Sequence, residues 1–406
     1  MNPDQSSGET PQMTNQPNGH THRAGTNRRQ PTGYRAFIPA ALPPDPPVQI
    51  TGELQELLSE ADLALGRLDG SIHILPDQDL FVLMYLRKEA VLSNQIEGTQ
   101  STLQDLLAAE ARVFDPDLPS DVDEVVNYVH AMNYGLKRLS DLPVSGRLIR
   151  DIHARLLKDV RGTHLTPGKF RTSQNWIGPP GCTLNEAIYV PPPPDRIAED
   201  ISKLERFIHD DTNKLPLLIR IGLIHAQFET IHPFPDGNGR VGRLLITFLL
   251  CERDVLRKPV LYLSYFLKRH RTQYYAELQS VRDEGTWERW LAFFLRGIVE
   301  ASAQATETTR RILSLRETDR DLINAEFERA AANGHRILDR LYEHPIVSVE
   351  IVRVLLGTTY ASANTMVARL VDCGILHEFT GRRRHRRFIY KNYVDLFSED
   401  EPEAVR

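Results

Sequence analysis

The sequence predicts a mainly α-helical protein with a small β-hairpin flap, ending in a helix-turn-helix unit with a basic loop. Three observations carry this. Apolar residues recur at helical spacing over most of 51–330. Two Gly/Pro-rich stretches, 175–195 and 232–239, interrupt that pattern. Residues 348–390 then read as two short helices followed by two short strands. A chain of 406 residues leads us to expect two or three folded units, and 41% apolar content supports a proper core.

Residues 1–32 are rich in Pro, Asn, Gln, Thr and Gly, which predicts a disordered tail. "FIPAALPPDPPVQI" (37–50) reads as an extended lead-in. "DLFVLMYLRKEAVL" (79–92) is a helix leading into "SNQIEGT" (93–99), where Gly98 takes the left-handed stop position. Glu97 then sits at a helix C-terminus, the end where a negative charge is disfavoured. "NWIGPPGCTLNEAIYVPPPPD" (175–195) gives two extended runs around a Gly-Pro turn. Helices return at 215–231, 240–256 and 271–330.

The totals exclude some functions. A net charge of −5 gives no overall nucleic-acid signature. Cys182, Cys251 and Cys373 lack metal or redox spacing, so a reducing cytoplasm is expected. No apolar run is long enough for a membrane span, and the N-terminus lacks a signal-peptide core.

"HPFPDGNGRVGR" (232–243) is the most informative stretch. Gly237 and Gly239 let successive N–H groups curl inward as an anion nest. A helix starts directly afterwards, so its positive end faces the same point. Arg240 and Arg243 share a face of that first turn, where cations are as misplaced as Glu97 is at its own helix end. A bound polyanion resolves the conflict. Asp236 stands where magnesium would meet one carboxylate and phosphate oxygens. His232 precedes the loop and could take a proton from a hydroxyl. The order differs from a Walker loop, which needs Gly-Lys-Ser/Thr, and no strand precedes it as a dinucleotide loop requires.

At these residues the chain resembles the Fic family of protein adenylyltransferases. Residues 232–243 match the signature His-Pro-Phe-x-Asp-Gly-Asn-Gly-Arg-x-x-Arg at every fixed position. "YVPPPPDRI" (189–197) resembles the family's target-docking flap, with Ile188, Tyr189 and Val190. Residues 271–295 resemble its adenosine-side helices, with Tyr274 against the nucleotide, and "YRAFIPAALPP" (34–44) resembles the bacterial multidomain branch. The resemblance implies transfer of AMP from ATP, with Mg2+, to a hydroxyl of a target protein or of the enzyme itself. His232 would be the base and Asp236 the metal ligand. Gly237, Asn238, Gly239 and Arg240 would cradle phosphates, with Arg240 and Arg243 on the β and γ phosphates. Relatives that transfer other groups exist, so the donor is implied and not read from residues.

Ser93 to Gly98 also match the family's inhibitory helix, Ser/Thr-x-x-x-Glu-Gly or -Asn. The resemblance implies that Glu97 pairs with Arg243 and turns ATP's phosphates away from attack, within one chain or across a homodimer.

The helix-turn-helix and "GRRRHRR" (381–387) resemble a winged helix. Its arginines could meet DNA phosphates, with Ser362, Asn364, Thr365 and Arg369 on the outer face of the second helix. A protein-interaction module is the competing reading. The expected organisation is a disordered tail (1–33), an N-terminal helical region carrying the inhibitory helix (34–120) and a catalytic core (121–300). A helical linker (301–332), a winged helix (333–397) and a tail (398–406) follow. The function expected is an autoinhibited adenylyltransferase. The alternative is a DNA-binding regulator whose core senses nucleotide.

Overall fold

A computed structural model describes residues 23–398, apart from 74, 76–77, 113–118, 161–165 and 180. Strands β1 (Gly25–Arg29) and β2 (Arg35–Pro39) pair antiparallel, with Gly25 opposite Pro39. The expected disordered tail is therefore corrected over 23–33. The segment does bury little apolar surface, as its composition says. Order comes instead from backbone pairing and from buried Arg23, whose guanidinium forks onto the Glu288 carboxylate through two 2.9 Å bonds. The rest of the expected tail, 1–22, and nearly all of the C-terminal one, 399–406, lie outside the described residues.

Six helices follow: α1 (Glu53–His73), α2 (Gln78–Ile96), α3 (Leu103–Glu110), α4 (Val122–Arg138), α5 (Gly146–Leu156) and α6 (Ile197–Ile208). A capping box at Thr102 and Asp105 starts α3, and the Ser145 hydroxyl caps α5. From Phe81 to Asn94 every residue of α2 except Leu83 is buried, so α2 runs through the middle of the protein. The flap between α5 and α6 is narrow, with one antiparallel bridge joining Ile177 and Tyr189.

α7 (Leu217–Ile231) and α8 (Asn238–Glu252) pack together at the centre of the core. Gly242 permits this close approach, and Gly222 permits that of α7 to the later helix that carries Leu291. A Cβ on Gly222 would meet Leu291 at 2.7 Å, and one on Gly242 would collide with the Glu229 carboxylate. Short α9 (Ser264–Arg269) and then α10 (Arg271–Glu284) lead to α11 (Trp287–Phe327). At 41 residues α11 is about 60 Å long, and α1 lies along it. The expected boundary at residue 300 falls inside this unbroken helix. The run 301–327 is thus no separate linker, because its apolar face stays buried under α1 and later elements.

Beyond it come α12 (Ala331–Glu343), β3 (Ile346–Val347), α13 (Val349–Leu356), α14 (Tyr360–Asp372), β4 (His377–Glu378), β5 (Phe388–Ile389) and α15 (Lys391–Ser398). The strands form one antiparallel sheet in the order β3-β5-β4. Gly357 turns the chain between α13 and α14 in the left-handed conformation, and the Thr359 hydroxyl caps α14. Among the described residues no helix is long and apolar enough to cross a membrane.

Candidate active site

The site is built where α7 hands over to α8. His232 ends α7 in the left-handed region, φ 50°, its N–H donating to the Phe228 carbonyl at 3.0 Å. Gly237 opens α8 at φ 77°, and the helical ladder begins only with Val241 N–H on the Gly237 carbonyl. The first N–H groups of α8 therefore lack intrahelical partners and face one point. The loop between is held from several sides. Asn238 Oδ1 accepts from Phe234 N–H at 2.9 Å while its Nδ2 donates to the Phe234 carbonyl at 2.8 Å. The His153 ring stacks on Phe234 with centroids 3.7 Å apart, and its Nε2 bonds the Asp236 carbonyl at 3.0 Å. Arg171 Nε donates to the His232 carbonyl at 2.9 Å.

Two corrections follow. Asn238 was expected to cradle phosphate; its side-chain carbonyl and amide both close the loop onto Phe234, which leaves its backbone N–H for that role. Tyr274 was expected against a nucleotide, yet it is 1% exposed and its hydroxyl bonds His225 Nε2 at 2.8 Å. One step round the helix, Tyr275 is 42% exposed and is the ring α10 presents outward.

The charges converge from distant parts of the chain. Glu97 lies one residue past α2, in a turn closed by Gly98 at φ 101°. Its Oε1 accepts from Arg243 Nη2 of the same chain at 2.7 Å. Arg243 Nε also donates to Ser93 Oγ at 2.8 Å and Nη2 to the Ser93 carbonyl at 2.9 Å. Ser93 and Glu97, four apart, thus grip one guanidinium from one face of α2. Gly239 leaves room for this, since a Cβ there would collide with Glu97 Oε1. Arg240 is buried and donates to Glu124 Oε2 at 2.8 Å, with Asp236 Oδ2 at 3.7 Å. The Asp236 side chain is 40% exposed beside the loop, and its Oδ1 accepts from Gly237 N–H at 2.6 Å.

Electrostatics follow from this geometry. Burial alone would lift the Glu97 carboxyl, but Arg243, with Arg240 and His232, holds it below the usual carboxylate range. Burial works against the Arg243 charge, yet Glu97 raises its pKa. His232 is pushed down to about 3 by burial and by the Arg282 and Arg171 guanidinium groups, so its ring is neutral at pH 7. Its buried Nδ1 makes no well-formed hydrogen bond among the described residues. Glu229, one turn before His232, is pushed up to about 7, mainly by burial.

In the flap, Tyr189 is an anchor and not a contact surface. It is 4% exposed, its hydroxyl donates to the Thr230 carbonyl at 2.5 Å, and the Arg282 guanidinium lies 3.9 Å over its ring. Ile188, 63% exposed, points outward, and the Val190 carbonyl accepts from Phe37 N–H at 2.9 Å. Sequence reasoning missed Glu124, His153, Arg171 and Arg282. His153 had a signal, since it shares the stripe Ile149, Ile152, Leu156 and is the polar member of an apolar face. Glu124 had none, being 116 residues from the arginine it meets.

The helical core thus gathers two buried arginines and a helix N-terminus around a neutral histidine. Residues 143–250 match the model of the Fic/DOC family, and residues 55–137 match that of the Fic/DOC family N-terminal region. Over 55–250 the chain belongs to the Fic/DOC family. It is 28% identical over 213 residues to the protein adenylyltransferase Fic of Drosophila grimshawi, covering 52% of this chain and 38% of that protein. It is also 28% identical over 215 residues to that of Culex quinquefasciatus, covering 52% and 37%. The chain thus spans less than two fifths of these curated relatives. A Fic family protein from Desulfovibrio desulfuricans G20 shares the fold, with TM-score 0.55 and 18% identity over 85% of this chain and 97% of that one.

Proposed function

We propose that this chain is an autoinhibited protein adenylyltransferase, moving AMP from ATP to a hydroxyl of a protein and to hydroxyls of its own. The observation that carries the reading is the grip of Ser93 and Glu97 on Arg243 at the mouth of an otherwise open anion nest. With ATP bound, the N–H groups of residues 238–240 take phosphate oxygens and Arg240 and Arg243 balance their charge. Neutral His232 accepts the proton of the attacking hydroxyl as its oxygen meets the α phosphate, and pyrophosphate leaves. While Glu97 holds Arg243, the terminal phosphate lacks its cation and the α phosphate is not in line with His232.

Mg2+ fits this site only in company. Among the described residues no cluster of three metal-binding side chains exists. Asp236 alone offers a partly exposed carboxylate at the nest, which suits an ion that arrives with phosphate oxygens. It would supply further charge neutralisation there. Exposed Ile188 and the flap would align the target segment.

The test is incubation with labelled ATP. The parent chain should label protein slowly, and His232→Ala should lower that rate at least about a hundredfold with ATP binding retained. Unchanged labelling by the variant would remove His232 from this role.

A second reading has its own observation. Arg383, Arg384, His385, Arg386 and Arg387 line a cleft of about 920 Å³ together with Tyr360 and Asn364 of α14. Arg386 Nη2 donates to Asn364 Oδ1 at 3.1 Å, tying the basic loop to that helix. Such a module, read as a winged helix, would bind DNA phosphates. Arg369 has no part in it, because it donates to the Glu326 carbonyl and covers the Phe327 ring at 4.5 Å. Replacing Arg382, Arg383, Arg384, Arg386 and Arg387 by Ala should weaken duplex binding and flatten its salt dependence. Absence of duplex binding by the parent at low salt would leave the protein-interaction reading.

A further inference from the structure

Helix α2 carries Glu97 at one end and is seated in the C-terminal module along its first three turns. The Phe81 ring packs on Tyr342 of α12 with centroids 4.6 Å apart. The Tyr85 ring meets Phe397 of α15 edge-on at 5.2 Å. Two buried cations then cap the ends of those module helices. Arg87 Nη1 donates to the carbonyl of Glu343, the last residue of α12, at 2.8 Å. The Lys88 ammonium donates to the Phe397 carbonyl near the end of α15. Both sit where a helix exposes unpaired carbonyls and favours positive charge. Arg87 Nε also donates to Glu110 Oε2 at 2.8 Å, at the end of α3. Ser93 lies five residues beyond Lys88, about 7.5 Å along the axis.

A helix buried from Phe81 to Asn94, Leu83 apart, cannot shift at one end and stay put at the other, because close-packed interiors repack in steps. We infer that α2 is a rigid link through which the C-terminal module, residues 331–398, controls the Glu97–Arg243 pair. A seated module holds the pair closed, and a module drawn off α2 lets Ser93 and Glu97 release Arg243. This rests on the inhibitory reading of Glu97. The two helix ends that meet Arg87 and Lys88 belong to α12 and α15, which also pack on each other inside the module through Tyr342, Tyr393 and Phe397. Anything that reshapes the module therefore reaches α2 at these contacts.

The experiment compares full-length parent, Phe397→Ala and Arg87→Met, each alone and combined with Glu97→Gly. None of these positions touches the nest. AMP transfer should rise about fivefold or more in the two single variants, the low end of coupling between sites. Combined with Glu97→Gly, neither should add to what Glu97→Gly gives alone. Hydrogen exchange of the 93–99 amides should quicken in both single variants, a readout that needs no activity. If Phe397→Ala does not fold, Arg87→Met, which removes hydrogen bonds and leaves the rings, carries the test. Faster exchange across 331–343 and 391–398 with 93–99 and transfer unchanged would overturn the link. If Glu97→Gly itself fails to activate, the inhibitory reading fails, and exchange at 93–99 still decides the link.

Discussion

Glu229 is a carboxyl set where its charge has little support. It is buried one turn before His232, and its Oε1 finds no hydrogen bond among the described residues. Burial lifts it from 4.5 to about 7. Between those values only the folded chain holds the proton, so Glu229 stabilises the fold at low pH and that contribution is lost as pH rises through about 7. Glu89 behaves alike, pushed up to about 7 mainly by burial. His153 and His225, near 4, and His232, near 3, act oppositely, adding stability as pH rises toward 6.5. Glu229→Gln should therefore gain more in Tm between pH 5 and pH 7.5 than the parent does. Parallel Tm changes in calorimetry would mean Glu229 is already ionised in the fold. The sequence hides this group. "HAQFETIH" marks a charged residue in an apolar helix, but only packing tells whether such a carboxyl meets a cation or stays protonated.

The α7–α8 turn was legible because its chemistry is local: two glycines, two arginines and a helix start within twelve residues. Of the partners that fix it, Glu97 was implied only by the family resemblance, and Glu124 of α4 and His153 of α5 were missed, because they lie far off in sequence. Arg240 and Glu124 are 3% and 6% exposed, so water screens neither. Glu124→Ala strands a buried guanidinium and should cost about 3–5 kcal/mol. Urea unfolding checks this, and a loss below about 1 kcal/mol would mean Arg240 finds other partners. Tyr274 shows the limit of reading helix faces from sequence. Adjacent Tyr274 and Tyr275 are chemically identical, and only the rotation of α10 against Trp290 and His225 decides which is buried. Strand β1 was missed because backbone pairing leaves no mark in composition.

At the scale of the whole chain, α11 and α2 cross what the sequence divides. The boundary at 300 was set where the family resemblance runs out, yet the helix continues for 27 residues to Phe327. The central claim is that Glu97 restrains Arg243 across this assembled core. Its most direct measurement is AMP incorporation, by mass shift, for parent, Glu97→Gly and Arg243→Ala. Glycine at a helix end costs at most about 1 kcal/mol, and Arg243 keeps its two bonds to Ser93, so Glu97→Gly should stay folded. It should transfer AMP, to itself included, well above the parent rate, while Arg243→Ala should not exceed the parent. A folded, ATP-binding Glu97→Gly protein that transfers no faster than the parent would contradict the claim.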